Sequence, residues 1–430
     1  MTSASAPNAL DLLHERGFVA DVTDEQALRA RLDEGPVTFY VGFDPTAPSL
    51  HAGNLVGIMA MSWLQRLGHR PIAIAGGATG RIGDPSGRDS ERELLGEQQL
   101  ASNLAGIRRQ LSAVMDLDGR RGLLLDNYEW LGGLRFLDVL RDVGKHFSVN
   151  AMIARESVRR RLTEREQGIS YTEFSYALLQ AYDFAYLHRT HGCELQGGGS
   201  DQWGNITAGI DLIRRLSGAS AYGLVWPLLT TADGRKFGKS AGVSVWLDPE
   251  MTSPYAYYQY WLNAADADVE RFLKLFTYLE VDEIAAVVTA HAQAPERRTA
   301  QRRLAEEATR ILHADDGLKA AQQATAALFG DEPLAGLDDR TLADAFASAP
   351  SVELPAARLG EGMGLLELMV AAGAARSNGE ARRLVTQGGV RLGNAAEQDP
   401  ARRVGPDALG GATTLVLRVG KKRYFLVRFV

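Results

Sequence analysis

"VTFYVGFDPTAPSLHAGNLVGIMAMSWLQRLG" (Val37–Gly68) decides the fold. Its first eight residues are rich in β-branched and aromatic side chains and predict a short strand ending at Asp44. A turn carrying Pro45 and Pro48 follows, and then an apolar helix beginning near Asn54. The same order repeats in "RPIAIAGGATG" (Arg70–Gly80), a buried strand running into a Gly-rich turn. Further on, "CELQGGGSDQWGN" (Cys193–Asn205) reads as strand and loop, and "ITAGIDLIRRL" (Ile206–Leu216) as a helix. Strands alternating with helices predict an α/β fold around a parallel sheet. Ligands of such sheets sit beyond the carboxyl ends of the strands, where these turns fall.

The 430 residues are enough for two or three domains, and 45% hydrophobic content supplies real cores. No run approaches a membrane span, and the opening "MTSASAPNALDLL" lacks the basic flank and apolar stretch of a signal peptide, so a soluble cytoplasmic protein is expected. The single cysteine, Cys193, excludes an internal disulfide and a cysteine metal cluster. Net charge is −6, but it is unevenly spread. Residues 363–430 hold 11 Lys and Arg against 5 Asp and Glu, while the rest holds 36 against 48. A basic tail on an acidic body points to an anionic partner met at the C-terminus.

From about Thr252 the pattern turns helical, with Ser253-Pro254 as a cap and first-turn pair and "APERRTAQRRLAEEATRILH" (Ala294–His313) as a long charged helix. Pro333, Pro350 and Pro355 mark a loosely packed connection. In the tail, Ser377 and Glu380 have capping-box spacing for a helix that stops at Gly388-Gly389. "TTLVLRV" and "RYFLVRF" flank "GKK" as a hairpin.

Five stretches carry chemistry. "DPTAPSLHAGN" (Asp44–Asn54) sits between strand and helix, where helix amides favour anions and Thr46, His51 and Asn54 can add hydrogen bonds. "GRKFGKSAG" (Gly234–Gly242) offers Arg235, Lys236, Lys239 and Ser240 on a flexible backbone suited to closing over a polyphosphate, although its glycines do not fit the GxxxxGK[ST] loop. "GGATGRIGDPSGR" (Gly76–Arg88) adds Thr79, Asp84 and Arg88, and "QGGGSDQWGN" (Gln196–Asn205) adds Asp201 and Gln202. In "SYALLQAYDF" (Ser175–Phe184), Tyr176, Gln180 and Asp183 fall at i, i+4 and i+7 and share one face of an otherwise apolar helix. Taken singly, each is an ordinary turn or polar stripe.

Taken together and in this order, they resemble the bacterial-type tyrosyl-tRNA synthetases, class I aminoacyl-tRNA synthetases, over essentially the whole chain. HAGN stands for the family's HIGH motif and KFGKS for its KMSKS motif; "TEFSYALLQAYDF" and "GGSDQWGN" are more specific than either. The tail resembles a small RNA-binding domain of ribosomal-protein type. The resemblance implies a Rossmann-like parallel-sheet catalytic domain (1–246), an α-helical anticodon-arm domain (247–340), a linker (341–362) and a small α+β RNA-binding domain (363–430).

By the same resemblance, Tyr176, Gln180 and Asp84 hold the substrate ammonium, Asp183 and Tyr40 reach the phenolic hydroxyl, and Gln202 lies near the carboxylate. Gly42, Asp44, Thr46, His51, Asn54, Gly199, Asp201, Lys236, Lys239 and Ser240 are implied for ATP, with Thr46, His51, Asn54, Arg88, Lys236 and Lys239 serving the chemistry. Arg382, Arg383, Lys421, Lys422 and Arg423 are the candidate tRNA contacts. The implied reaction is activation of tyrosine by ATP, with Mg²⁺ escorting pyrophosphate and no dedicated protein metal site, then transfer to tRNA(Tyr). A homodimer without membrane attachment is implied too.

Departures are few. Asn54 stands where the motif name has His, Phe237-Gly238 replaces Met-Ser, and Arg88 occupies a place often filled by Lys. "VRLGN" lacks the Asn-Gly order usual in the tail domain's strand turn. Three rivals remain at this level. A tryptophanyl-type enzyme would have to bind an indole, which offers only a donor and does not need the Tyr40–Asp183 pair. A non-catalytic RNA-binding relative would be free to lose His51, Lys236 or Lys239, which are all present. Another nucleotidyl transferase with a HxGH-like motif would not explain the tail.

Overall fold

The computed structural model describes residues 8–86, 95–163, 168–235, 237–240, 243–329, 334, 337–347, 349–409, 413–420 and 423–430. The chain forms two compact units, Met1–Asp248 with Ala264–Glu307, and Pro249–Asn263 with Ala308–Val430.

The first unit is built on six strands: β1 (Asp21–Val22), β2 (Thr38–Phe43), β3 (Arg70–Ala75), β4 (Leu123–Asp126), β5 (Cys193–Gly199) and β6 (Tyr222–Trp226). Their order is β1-β6-β5-β2-β3-β4. All neighbours run parallel except β1, which is antiparallel to β6. Strand order reverses at β2, with β3 on one side and β5 on the other, and that switch point opens the crevice in which α/β sheets bind ligands. Both faces of the sheet are covered, which is why β3 is an uninterrupted run of buried residues from Pro71 to Ala75. The Leu55–Arg66 helix is buried from Leu55 to Gln65, so it is apolar all round. The Tyr171–His191 helix starts at Ser170, whose hydroxyl accepts from the Glu173 N–H, and stops at Gly192, where φ is 62°.

The second unit opens at Pro249, close to the expected boundary at 246/247, but the chain returns to the sheet unit over Ala264–Glu307. The Asp266–Phe276 and Val281–Gln293 helices belong to the sheet unit. Arg16 explains part of the attachment. Its buried guanidinium donates to the carbonyls of Lys274, Thr277 and Leu279 and lies 3.8 Å over the Trp63 ring. It therefore satisfies orphan carbonyls after the Asp266–Phe276 helix and ties them to the Leu55–Arg66 helix. Burial lowers its pKa to about 10, which still leaves it charged at neutral pH.

In the second unit, the Pro254–Leu262 helix begins with Ser253 as cap and Pro254 in the first turn. A five-stranded sheet has the order β12 (Ala395–Glu397), β11 (Val390–Leu392), β14 (Thr414–Val419), β15 (Arg423–Phe429) and β9 (Ser351–Leu354). A small pair, β10 (Met363–Gly364) and β13 (Arg403–Val404), lies apart. The predicted hairpin is the β14–β15 pair, with Gly420 at φ 69°. The expected linker at 341–362 is corrected: β9 is the edge strand of this sheet, parallel to β15. Pro350 and Pro355 bracket β9 without interrupting it, so neither removes a ladder donor.

Candidate active site

A cavity of about 670 Å³ opens at the carboxyl ends of β2, β5 and β6 in the first unit. Tyr40, Asp84, Tyr176, Gln180, Asp183 and Gln202 all line it, as do Gly42, Asp44, Thr46, His51, Asn54, Gly199 and Asp201. Residues from four separate stretches of sequence thus converge on one space.

One end of the cavity is a chain of hydrogen bonds, buried at Asp183 and half-buried at Asp44. Asp183 accepts from Asn127 Nδ2 at 2.9 Å and from Trp130 Nε1 at 2.7 Å. Asn127 Nδ2 also donates to Thr79 Oγ1 at 3.0 Å, and Thr79 donates to Asp44 Oδ1 at 2.8 Å. Tyr176 donates its hydroxyl to the other Asp44 oxygen at 2.9 Å. Trp130 stacks on Tyr186 at 4.6 Å, which fixes the indole that fixes the carboxylate. Burial pushes the Asp183 carboxyl up to about 7, opposed by the donors from Asn127 and Trp130 and reinforced by the Asp44 charge. Burial also raises the phenols of Tyr40 and Tyr176 well above their ordinary value, so both stay protonated donors. The Tyr40 hydroxyl makes only a long contact, 3.4 Å, to the Gln180 carbonyl.

Beside that chain lies an amide–acid pair. Gln202 donates to Asp84 at 2.6 Å, and its own carbonyl accepts from Gln180 Nε2 at 3.3 Å. Asp84 is held by the Ser86 N–H at 2.9 Å. With Tyr176 adjacent, this corner presents acceptors and negative charge suited to an ammonium group.

The opposite end is made largely of backbone. His51 caps the short Ala52–Asn54 turn: its Nδ1 accepts from the Gly53 N–H at 3.0 Å, and Asn54 Oδ1 accepts from the His51 N–H at 3.0 Å. Nδ1 being an acceptor, the neutral ring carries its proton on Nε2. Gly238, at φ 87°, lies against this turn, and a Cβ there would be 2.6 Å from the Gly53 nitrogen. The preceding Phe237 is buried among Phe272 and Phe276, each 5.1 Å away. The KFGKS stretch is therefore seated on the HAGN turn by a glycine and anchored by a ring.

Lys239 is exposed on β7 (Lys239–Ser240), which pairs with β8 (Val243–Ser244), and lies outside the cavity lining. Arg88, Lys236, Lys421 and Lys422 and the Ser240 side chain lie outside what is described. In the second unit Arg382 and Arg383 are exposed on the Asn378–Thr386 helix and Arg423 is exposed at the start of β15. Gly420, in the β14–β15 turn, donates to Gly389 just beyond that helix at 2.8 Å, which brings the two elements together.

Asn127 and Trp130 were not among the residues singled out from sequence, and Asp44 was assigned to ATP alone although Tyr176 and Thr79 both bond it. The available signal was modest: "LLLDNYEWL" (Leu123–Leu131) is a strand followed by Asn and, three residues on, Trp.

A sheet with its crevice at the switch point, a HIGH-like turn capped by His51 and a KMSKS-like loop resting on it define a class I aminoacyl-tRNA synthetase. Residues 32–330 match the family described as tRNA synthetases class I (W and Y), and residues 341–427 match the tyrosine–tRNA ligase SYY-like C-terminal domain. The tyrosine–tRNA ligase of Roseiflexus castenholzii is 50% identical over 98% of this chain and 99% of its own length. That of Yersinia enterocolitica is 48% identical over the full length of both. A C-terminally truncated mitochondrial tyrosyl-tRNA synthetase of Aspergillus nidulans superposes with a TM-score of 0.69 at 33% identity, covering 76% of this chain and 95% of that one. The chain belongs to the tyrosine–tRNA ligase family.

Proposed function

We infer that the chain activates L-tyrosine with ATP to tyrosyl-adenylate and pyrophosphate, then transfers tyrosine to the 3′-terminal adenosine of its tRNA. It is an aminoacyl-tRNA synthetase, a tyrosine–tRNA ligase. The observation that carries the choice of amino acid is the Asp183 end of the cavity, where a carboxylate held by two N–H donors and a nearly unpartnered phenol, Tyr40, face the same space. A substrate hydroxyl there gains a donor and an acceptor, whereas phenylalanine shuts water out without adding a donor to Asp183 or giving Tyr40 more than its long contact with the Gln180 carbonyl. Asp84, Tyr176 and Gln180 take the ammonium, and Gln202 stands toward the carboxylate.

The tyrosine carboxylate needs no base to attack the α-phosphorus, because its reference pKa of roughly 3.5 leaves it ionised at neutral pH. The enzyme's task is positioning and charge stabilisation. Thr46 and His51 Nε2–H serve the phosphates from the fixed wall, with Asn54, Gly42 and Asp44 beside them. Lys236, Lys239 and Arg88 approach from the other side, and Ser240 joins them. Asp201 and the Gly199 backbone hold the ribose, and magnesium enters with ATP as part of the substrate. Arg382, Arg383, Lys421, Lys422 and Arg423 contact tRNA phosphates in the C-terminal domain.

The working form is a homodimer in the cytoplasm. Phe136 and Leu137 are 64% and 76% exposed, with Leu140, Val149 and Ile153 nearby in sequence and also exposed, and a second copy is the cover proposed for this apolar stretch. No helix among the described residues is long and apolar enough to cross a membrane.

Amino-acid-dependent ATP–pyrophosphate exchange with each of the twenty amino acids tests the assignment. Exchange with tyrosine is expected, and exchange with tryptophan in its place would overturn it. Removing residues 349–430 is expected to spare exchange and lower tRNA charging at least about tenfold, as phosphate contacts are lost.

A further inference from the structure

The Trp226 indole lies in space that the sequence has cleared for it. Trp226 ends β6 and lines the cavity beside Pro227, Leu228 and Leu229. Its six-membered ring reaches between β5 and the Leu55–Arg66 helix. A Cβ on Gly57 would fall 2.6 Å from Trp226 Cζ2, and one on Gly197 would fall 2.9 Å from Cζ3. Neither position tolerates even a methyl group unless the ring moves. Neither glycine has a left-handed backbone that would call for it. Glycine inside a helix or strand weakens the element, so clearance for the ring is what both positions supply.

The indole is only partly buried, so it also presents surface to the cavity. Its place there is specific. Trp226 pairs directly with Gly199 across the β5–β6 ladder, and Gly199 borders Asp201. The end proposed for the amino acid, by contrast, is lined by Asn127 and by Asp183, which Trp130 holds from behind. A flat aromatic surface beside a ribose site matches the π-face of a purine.

We propose that the Trp226 indole is the wall against which the adenosine part of ATP packs, and that Gly57 and Gly197 are positioning residues that seat it. This rests on the ATP-site reading given above and names a determinant within it.

Pyrophosphate exchange with wild type, Trp226→Phe, Trp226→Ala and Gly57→Ala, each also measured for thermal unfolding, tests the proposal. Trp226→Ala is expected to raise KM for ATP about tenfold, the scale of a lost base–aromatic stack, with KM for tyrosine unchanged. Trp226→Phe should stay within about threefold of wild type. Gly57→Ala should raise KM for ATP in the wild-type background but add nothing to Trp226→Ala, because the ring it displaces is gone. Titration with AMP should change the tryptophan fluorescence of wild type and leave that of Trp226→Phe unaltered. A KM for ATP unchanged in Trp226→Ala, equal additive losses from the two substitutions, or an AMP response retained in Trp226→Phe would each overturn the wall. If Trp226→Ala fails to fold, Trp226→Phe fluorescence and Gly57→Ala kinetics decide. Wild type without tyrosine-dependent exchange would instead strike the parent reading, and the AMP titration would still decide the wall.

Discussion

The two ends of the cavity solve different problems with different materials. At the end proposed for the amino acid, Asp183, Asn127, Trp130, Thr79, Asp44 and Tyr176 form a continuous run of buried and half-buried side-chain hydrogen bonds. At the end proposed for the nucleotide, the materials are a His-capped turn and a glycine laid on a backbone nitrogen. Telling one hydroxyl from none requires polar groups that water cannot reach, held so that the hydroxyl completes their bonding. Handling a triphosphate requires donors and cations around charge that forms and leaves, so backbone and a loop serve better.

The sharpest way to break that contrast is Asp183→Ala. It removes the acceptor proposed for the substrate and strands the Asn127 and Trp130 donors in a buried site. Tyrosine-dependent exchange is expected to fall at least about a hundredfold in kcat/KM, the scale of a hydrogen bond to a charged group plus stranded donors. KM for ATP should hold. A loss shared equally between the two substrates would mean that the ends are not separate.

The opposite end is probed by Gly238→Ala. The new methyl would meet the Gly53 nitrogen at 2.6 Å from a backbone with φ 87°, so KFGKS must lift from HAGN. An expected fall in kcat of about tenfold or more, with KM for tyrosine unaltered, is read by exchange kinetics; a one-ångström misplacement can cost about a hundredfold. Unchanged kcat would show that the seating on HAGN does not matter to the chemistry.

The acid at the first end also makes a pH-dependent contribution to stability. Asp183 is raised from 3.8 to about 7 in the folded, ligand-free protein. Between those values the native state binds more protons than the unfolded state, so this carboxyl makes stability fall as pH rises from about 4 to 7. Asp183→Asn removes the titration. The difference in Tm between variant and wild type should shift in the variant's favour by a few degrees from pH 5 to pH 8, whatever pH-independent cost the amide carries. A constant difference would show that Asp183 is already ionised at low pH.

The same contrast governs what could be read without coordinates. Alternating strands and helices announced the sheet, and the stripe Tyr176–Gln180–Asp183 was visible because helical spacing is regular. Asn127 and Trp130 were not, because they reach Asp183 only through the neighbouring β3–β4 edge, and "DNYEWL" has no periodic signature. Trp226 was invisible for a related reason: its meaning lies in two glycines, 57 and 197, far away in sequence. β9 was misread because four residues between two prolines carry little pattern, and its partner β15 lies about seventy residues on.

The smallest effect is the most diagnostic of how the two partners of the phenol divide their work. Tyr40 is 1% exposed, yet its hydroxyl has only the 3.4 Å contact with the Gln180 carbonyl. With its pKa held well above the ordinary value by burial, it is a neutral group throughout the working range. Tyr40→Phe therefore strands no charge and breaks no strong bond in the free enzyme; it removes one neutral hydrogen bond from the complex. The expected loss is about 0.5–1.5 kcal/mol, a factor of about 2 to 12 in kcat/KM for tyrosine, with phenylalanine exchange unchanged or slightly improved. Selectivity should fall by that factor, multiplied by any gain with phenylalanine. A hundredfold loss would place Tyr40 on a par with Asp183 and make the phenol's recognition a two-charge problem. No loss at all would leave the carboxylate as the sole reader of the substrate's oxygen.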